Sequence, residues 1–204
     1  MVTVEMDEAY VERRLLAGEI SCPGCRGVLA GWGHARSRVV RGPTGDLRLT
    51  PRRARCRSCR STHVLLPREL LCRRADTVDV IGAAIVAHAA GAGHRPIAVV
   101  LGRPAATVRG WLRRLAGRLE AVRGWFTAVV VDVQVDPVPP EPAQSAWADL
   151  VTAVEAAASA VAVRFEPAQG HRPVGWVWRA ASAMSSGRLL APWWPVVSTG
   201  ARLV

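Results

Sequence analysis

Two cysteine pairs, Cys22 and Cys25 in CPGC and Cys56 and Cys59 in CRSC, restrict the fold of this 204-residue chain more than any other feature. Two residues between paired cysteines put both sulfurs on one tight knuckle. Two knuckles brought together by a hairpin present four sulfurs at the corners of a tetrahedron. The 30 residues between the pairs must therefore fold back on themselves. Short β-prone runs at Arg38 to Arg41, Asp46 to Thr50 and Ser61 to Leu66, with a GPTG turn among them, supply the means. The spacing predicts a zinc ribbon over residues 20–70, with structural Zn²⁺ on Cys22, Cys25, Cys56 and Cys59. A closed four-sulfur site leaves no position for water, so it stabilises rather than catalyses. A redox pair or four unrelated buried thiols are the other readings, but redox chemistry usually places its C-x-x-C at a helix start in a βαβ setting, which is missing here. Cys72 has no partner at ligand spacing and reads as a buried small hydrophobe. His34 and His63 lie close enough in sequence to be substitute ligands.

The second constraint is HRPIAVVLGRPAATVRGWLRR, from His94 to Arg114. Two short helices crossing at a tight turn need small or apolar residues where they touch, and Ile97, Ala98 and Leu101, then Val108, Trp111 and Leu112, meet that need. Pro96 suits a first helical turn, and Gly102 can take the positive φ that ends a helix abruptly. The pattern predicts a helix-turn-helix whose second helix, residues 104–114, turns Ala105, Ala106, Arg109, Gly110 and Arg113 outward. Arg109 and Arg113, four apart, share a face that can reach the O6 and N7 edge of guanine in a major groove. Arg95, Arg103 and Arg114 are expected phosphate contacts, and Arg52 and Arg53, with Arg55, Arg57 and Arg60, a second backbone contact on the ribbon.

Charge supports the same half of the chain. All 27 basic residues are Arg, with no Lys or Asn, which reads as codon bias and makes arginine abundance uninformative. Its distribution is informative: residues 1–125 carry 22 Arg against ten acidic residues, whereas residues 126–204 carry five against six. A basic region confined to one part of a chain attracts phosphate backbones, with an anionic membrane surface or simple solubility as the other readings. The polar, acidic opening MVTVEMDEAYVERR is unlike a signal peptide, and no uncharged apolar run reaches membrane-spanning length. A cytoplasmic, nucleoid-associated protein is expected.

The remaining segments complete a mainly α fold with a small β module. A lead-in helix is expected within residues 1–19, using Tyr10, Leu15 and Leu16 and closed by Gly18. The helix-turn-helix domain spans 75–130: Val78, Ile81, Ile85 and Ala89 mark a supporting helix, and Leu112, Leu115, Leu119, Val122, Phe126 and Val129 form a heptad-like seam on an extended helix. That seam is open to packing within the chain or to a homodimer contact. DPVPPEPAQ, residues 136–144, is a proline-rich connector. A C-terminal helical region, 145–204, starts at an N-cap Ser145, with Trp147, Leu150, Val151, Val154, Ala158 and Val161 on one face. A further helix is expected from Pro173 to Gly187, and Trp176, Trp178, Trp193 and Trp194 suggest either a compact cap or a tryptophan-rich surface for a partner.

CPGC and CRSC followed by HRPIAVVLGRPAATVRGWLRR resemble the zinc-ribbon and helix-turn-helix front end of bacterial insertion-sequence transposases, and more closely an actinobacterial family of this layout. The resemblance covers residues 20–125 and implies double-stranded DNA as partner. A transposase would also need three carboxylates on an RNase H-like sheet. AVVVDVQVD, with Asp132, is the nearest thing to such a strand; the 72 residues after Asp132 are too few for the sheet, and Asp149, Glu155 and Glu166 have ordinary surface spacing. The expectation is a DNA-binding protein without catalysis, a regulator or a mobile-element derivative. A protein-interaction module built on the ribbon and the Trp-rich region, and a truncated transposase, are the alternatives.

Overall fold

The computed structural model describes residues 1–165 and 175–195. The chain is mainly α with small β-sheets, 46% helix and 18% strand. The β part comprises β1 (Val2–Val4), β2 (Leu29–His34), β3 (Arg38–Arg41), β4 (Asp46–Leu49), β5 (Arg52–Cys56) and β6 (Thr62–Pro67). Four strands form one sheet in the order β1-β6-β5-β2, and β3 and β4 pair separately around the GPTG turn. The hairpin expected between the cysteine pairs is thus β2 with β5, and a second small hairpin is inserted at its tip. Strand β1 was not expected. Three residues are too short for an alternation signal, and its parallel partner β6, in register Val2 with Leu65, lies far along the chain.

Helix α1 (Glu8–Leu16) covers this sheet, and Asp7 caps it by accepting from the Tyr10 N–H at 3.1 Å. Its inward face is Val11 and Leu15, whereas Tyr10 and Leu16, both expected inside, are exposed. Glu12 turns the other way and clamps Arg52 with two hydrogen bonds of 2.8 and 3.0 Å, so an ion pair helps fix α1 on the sheet.

Among the described residues six more helices follow: α2 (Val78–Ala89), α3 (His94–Leu101), α4 (Ala105–Ala116), α5 (Leu119–Val133), α6 (Ala146–Phe165) and α7 (Trp176–Met184). Their inward residues make the main core, including Ile81, Ile85, Val108, Trp111, Leu115, Phe126, Val154 and Trp178. The heptad-like seam turns inward as the spacing requires, but it does not lie on one helix. The chain breaks at Gly117 and Arg118, because Arg118 turns to bind carbonyls of the closing segment: its guanidinium donates to Ala191 O at 2.7 Å and also to Trp194 O. Leu112 and Leu115 before the break, and Val122, Phe126 and Val129 after it, all enter the same core.

AVVVDVQVD continues α5 to Val133 and is not a strand, and Asp132 is exposed on it. Residues 136–144 carry no helix or strand, as their prolines dictate. Ser145 caps α6 through its hydroxyl, which accepts from the Ala148 N–H at 3.2 Å. Helix α6 is long and apolar enough to cross a membrane by length and composition, yet it buries Leu150, Val154 and five alanines against its neighbours. The helix expected from Pro173 appears as α7, and Pro173 and Glu166 lie outside the described residues. Trp178 of α7 packs so closely on Gly82 of α2 that a Cβ there would lie 2.2 Å from the indole. Trp194 is buried edge-on against Trp125 and Phe126, while Trp193 is exposed.

The β and α parts meet at Asp76. This carboxylate, 1% exposed, accepts from Arg41 of β3 at 2.7 Å and from Arg103, in the turn between α3 and α4, also at 2.7 Å. Arg103 reaches on to Gly42 O at 2.8 Å. Truncating one member of a buried ion network leaves the others uncompensated. We expect Asp76→Ala to cost about 3–5 kcal/mol in urea unfolding. We also expect Gly82→Ala to cost about 1–3 kcal/mol through overpacking against Trp178.

Candidate metal centre and basic helix face

The two cysteine knuckles fold alike because the same hydrogen bonds recur in each. In the first, Cys22 N–H donates to Gly27 O and Arg26 N–H to Cys22 O, both at 2.8 Å. In the second, Cys56 N–H donates to Ser61 O at 2.9 Å and Arg60 N–H to Cys56 O at 3.1 Å. Each second cysteine is followed by an arginine in the left-handed region, Arg26 at φ 60° and Arg60 at φ 64°. That conformation reverses the chain and aims both sulfurs of a knuckle inward, at a steric cost for a residue bearing a Cβ.

Pairing of Leu29 with Cys56 across β2 and β5 then brings the knuckles face to face. All four sulfurs lie within 4.8 Å of one another, with Cys22 3.7 Å from Cys59 and Cys25 3.4 Å from Cys56. Such a set can hold one metal ion. Cys22 and Cys56 are buried, and Cys25 and Cys59 are exposed. Gly27 makes the approach possible, since a Cβ there would sit 2.4 Å from the Ser58 hydroxyl and 3.1 Å from the Cys56 sulfur. His63 stands beside the cluster, with Nε2 3.4 Å from the Cys22 sulfur and Nδ1 3.2 Å from the Met1 amine. His34, at the far end of β2 opposite Arg52, is not part of it. Cys72 lies apart with its sulfur 3.7 Å from that of Met1, and burial pushes its thiol up.

The sulfurs compete for protons. The Ser61 hydroxyl and then its N–H stabilise the Cys59 thiolate, which is held down at about 6. The Gly27 N–H favours the thiolate of Cys25, but the neighbouring Cys56 and Cys59 sulfurs outweigh it and push that thiol up to about 11. Four thiolates in so small a volume repel one another unless a cation lies among them.

The second candidate surface is the outer face of α4. Gly102 takes φ 60° and ends α3, and Val108, Trp111, Leu112 and Leu115 turn into the core. Arg109, Arg113 and Arg114 are exposed, as is Arg95 at the start of α3. Ala106, Gly110, Arg113 and Arg114 line a shallow recess of about 430 Å³. Gly110 keeps that recess open and its carbonyl accepts from Arg114 at 2.7 Å. Arg74 adds to the charge: burial first, and then the nearby Arg114, hold its guanidinium below the usual arginine range.

Two other expected phosphate contacts, Arg103 beside the helix pair and Arg52 on the ribbon, are turned inward. Arg103 is held by Asp76 and Gly42, and Arg52 by Glu12 and by Gly33 O at 2.7 Å. Their acidic partners stand 27 and 40 residues away in sequence, so no local pattern marks them. Arg53 lies half-buried on β5. Gly27 and the paired left-handed arginines escaped the sequence reading, although the repeated C-x-x-C-Arg pattern was there to be seen. Comparison of the chain with protein-family models, with curated proteins and with solved structures finds no match.

Metal uptake by this cluster should depend on pH with a definite sign. Between pH 7 and 9 Cys25 still carries a proton that binding must expel, so apparent affinity should rise with pH. Cys59 is already ionised there and adds its own dependence only near and below pH 6. Competition titrations against a chelator across this range test the sign. Gly27→Ala should weaken metal binding at every pH, because it separates the knuckles.

Proposed function

We propose that this protein binds double-stranded DNA through a helix-turn-helix formed by α3 and α4, with a zinc ribbon, carrying structural Zn²⁺ on Cys22, Cys25, Cys56 and Cys59, as a rigid neighbour. The observation that carries the reading is the division of α4 into two faces. Its large apolar residues Val108, Trp111, Leu112 and Leu115 are committed to the core, while Arg109, Arg113 and Arg114 remain exposed around the small residues Ala106 and Gly110. Small side chains between arginines allow a helix to approach base edges closely, and an exposed Arg can pair with guanine O6 and N7. Arg95 lies where a phosphate contact would anchor the first helix.

Zinc suits the four-thiolate site because it favours tetrahedral sulfur coordination at about 2.3 Å, which places sulfurs about 3.8 Å apart. The 3.7 and 3.4 Å separations support that geometry. In this reading the metal stabilises and does not react, and the protein acts as a regulator rather than a nuclease. Asp132 is exposed on a helix and does not support a nuclease site.

Binding to a mixed-sequence duplex should weaken steeply with salt, log affinity falling by about 0.9 per phosphate neutralised for each unit of log salt. Arg109→Ala should cost about 1–3 kcal/mol and relax preference at one base position in a selection from random duplexes. Arg95→Ala should weaken all sequences alike. No duplex binding at low salt would exclude the proposal. The purified protein should hold about one zinc per chain, and Cys56→Ser should remove it.

A further inference from the structure

The outer face of the sheet carries an aromatic ring that neither the fold nor α4 uses. Trp32 on β2 is 51% exposed, although tryptophan is among the costliest side chains to leave in water. Pairing of Ala30 with Arg55, and of Arg55 with Thr62, puts these residues on the face opposite the cysteine cluster. Trp32 shares that face, as its ring contact demonstrates: the Arg55 guanidinium carbon lies 4.8 Å from the indole centroid.

The contact is held from the other side. Arg55 Nε donates to Arg60 O at 3.2 Å, and Arg60 takes the left-handed conformation that shapes the second knuckle. The knuckle thus fixes Arg55, Arg55 fixes the indole, and the ring stays half exposed beside a rigid cation. Arg57 and Arg60 are exposed nearby, and β2, β5 and β6 contain no Asp or Glu. An exposed aromatic ring held beside a guanidinium is complementary to a flat group that carries negative charge at its edge.

We infer that Trp32 and Arg55 form a stacking platform for an unpaired nucleobase, which makes the sheet a binding surface for single-stranded nucleic acid distinct from α4. This extends the nucleic-acid reading of the protein to a second strand state. A base in a closed duplex hides both faces in the stack, so this platform selects unpaired bases such as those at a frayed end, a gap or a melted segment. Sequence preference should be slight, because every base offers a π face. Phosphates flanking the stacked base fall to Arg57 and Arg60.

The test is fluorescence anisotropy of the zinc-loaded full chain with labelled dT12 and, separately, a labelled mixed-sequence duplex. Trp32→Ala should weaken dT12 binding by ~10-fold or more, with Trp32→Phe retaining affinity within about threefold. Trp32→Ala should leave duplex binding nearly unchanged, and the Arg109→Ala, Arg113→Ala double variant should do the reverse. Zinc content and circular dichroism of each variant confirm that its fold is intact. If dT12 is not bound, or is bound equally by wild type and Trp32→Ala, the platform is overturned even where duplex binding persists. If the duplex is not bound but dT12 binds through Trp32, the platform stands and the duplex proposal falls.

Discussion

A buried carboxylate clasps one half of this molecule to the other. Asp76 sits where the β module hands the chain to the helices, and its two oxygens are divided between Arg41 on one side and Arg103 on the other. A lone charge in that position would be very unfavourable, and two guanidiniums make it tolerable. The geometry of the turn between α3 and α4 is therefore tied to the loop of the small hairpin through Gly42. The clasp joins the cysteine-bearing part of the chain to the turn in front of the basic helix.

Arginine serves two purposes here, and only the structure separates them. Arg41, Arg52, Arg103, Arg118 and Arg179 join distant elements, and all of these except Arg41 use several donors of the planar fork. Arg95, Arg109 and Arg113 have no such partners among the described residues and project from α3 and α4. A chain whose only strong cation is Arg can cross-link its own backbone carbonyls, as Arg118 does at the end of the main core. The formal charge of +11 therefore overstates the charge free to meet a partner.

What the sequence disclosed was local. The cysteine cluster was legible because C-x-x-C spacing determines knuckle geometry within a few residues. The α3–α4 pair was legible because Gly102 and the apolar spacing act over one turn each. The inward roles of Arg52 and Arg103 were not, since their partners Glu12 and Asp76 are remote in sequence and an unpaired arginine looks the same as a paired one. Strand β1 was hidden by its brevity. The break between α4 and α5 was hidden by success: the seam stays apolar across Gly117 because both helices face the same core, so periodicity alone reads one helix.

Residues 179–187 lie against a stretch near the middle of the chain. Arg179 grips Asp79, the Ser182 hydroxyl donates to Leu70 O at 2.7 Å, and the Cys72 N–H donates to Gly187 O at 2.7 Å. The Thr3 hydroxyl donates to Ala183 O at 3.3 Å, which links the first strand to the last described helix. During synthesis these groups must wait for more than half the chain to leave the ribosome before their partners exist. The same belt means that a protease cutting the proline connector at 136–144 would divide the covalent chain without releasing either piece, since the fragments would remain clasped by contacts that bypass the cut.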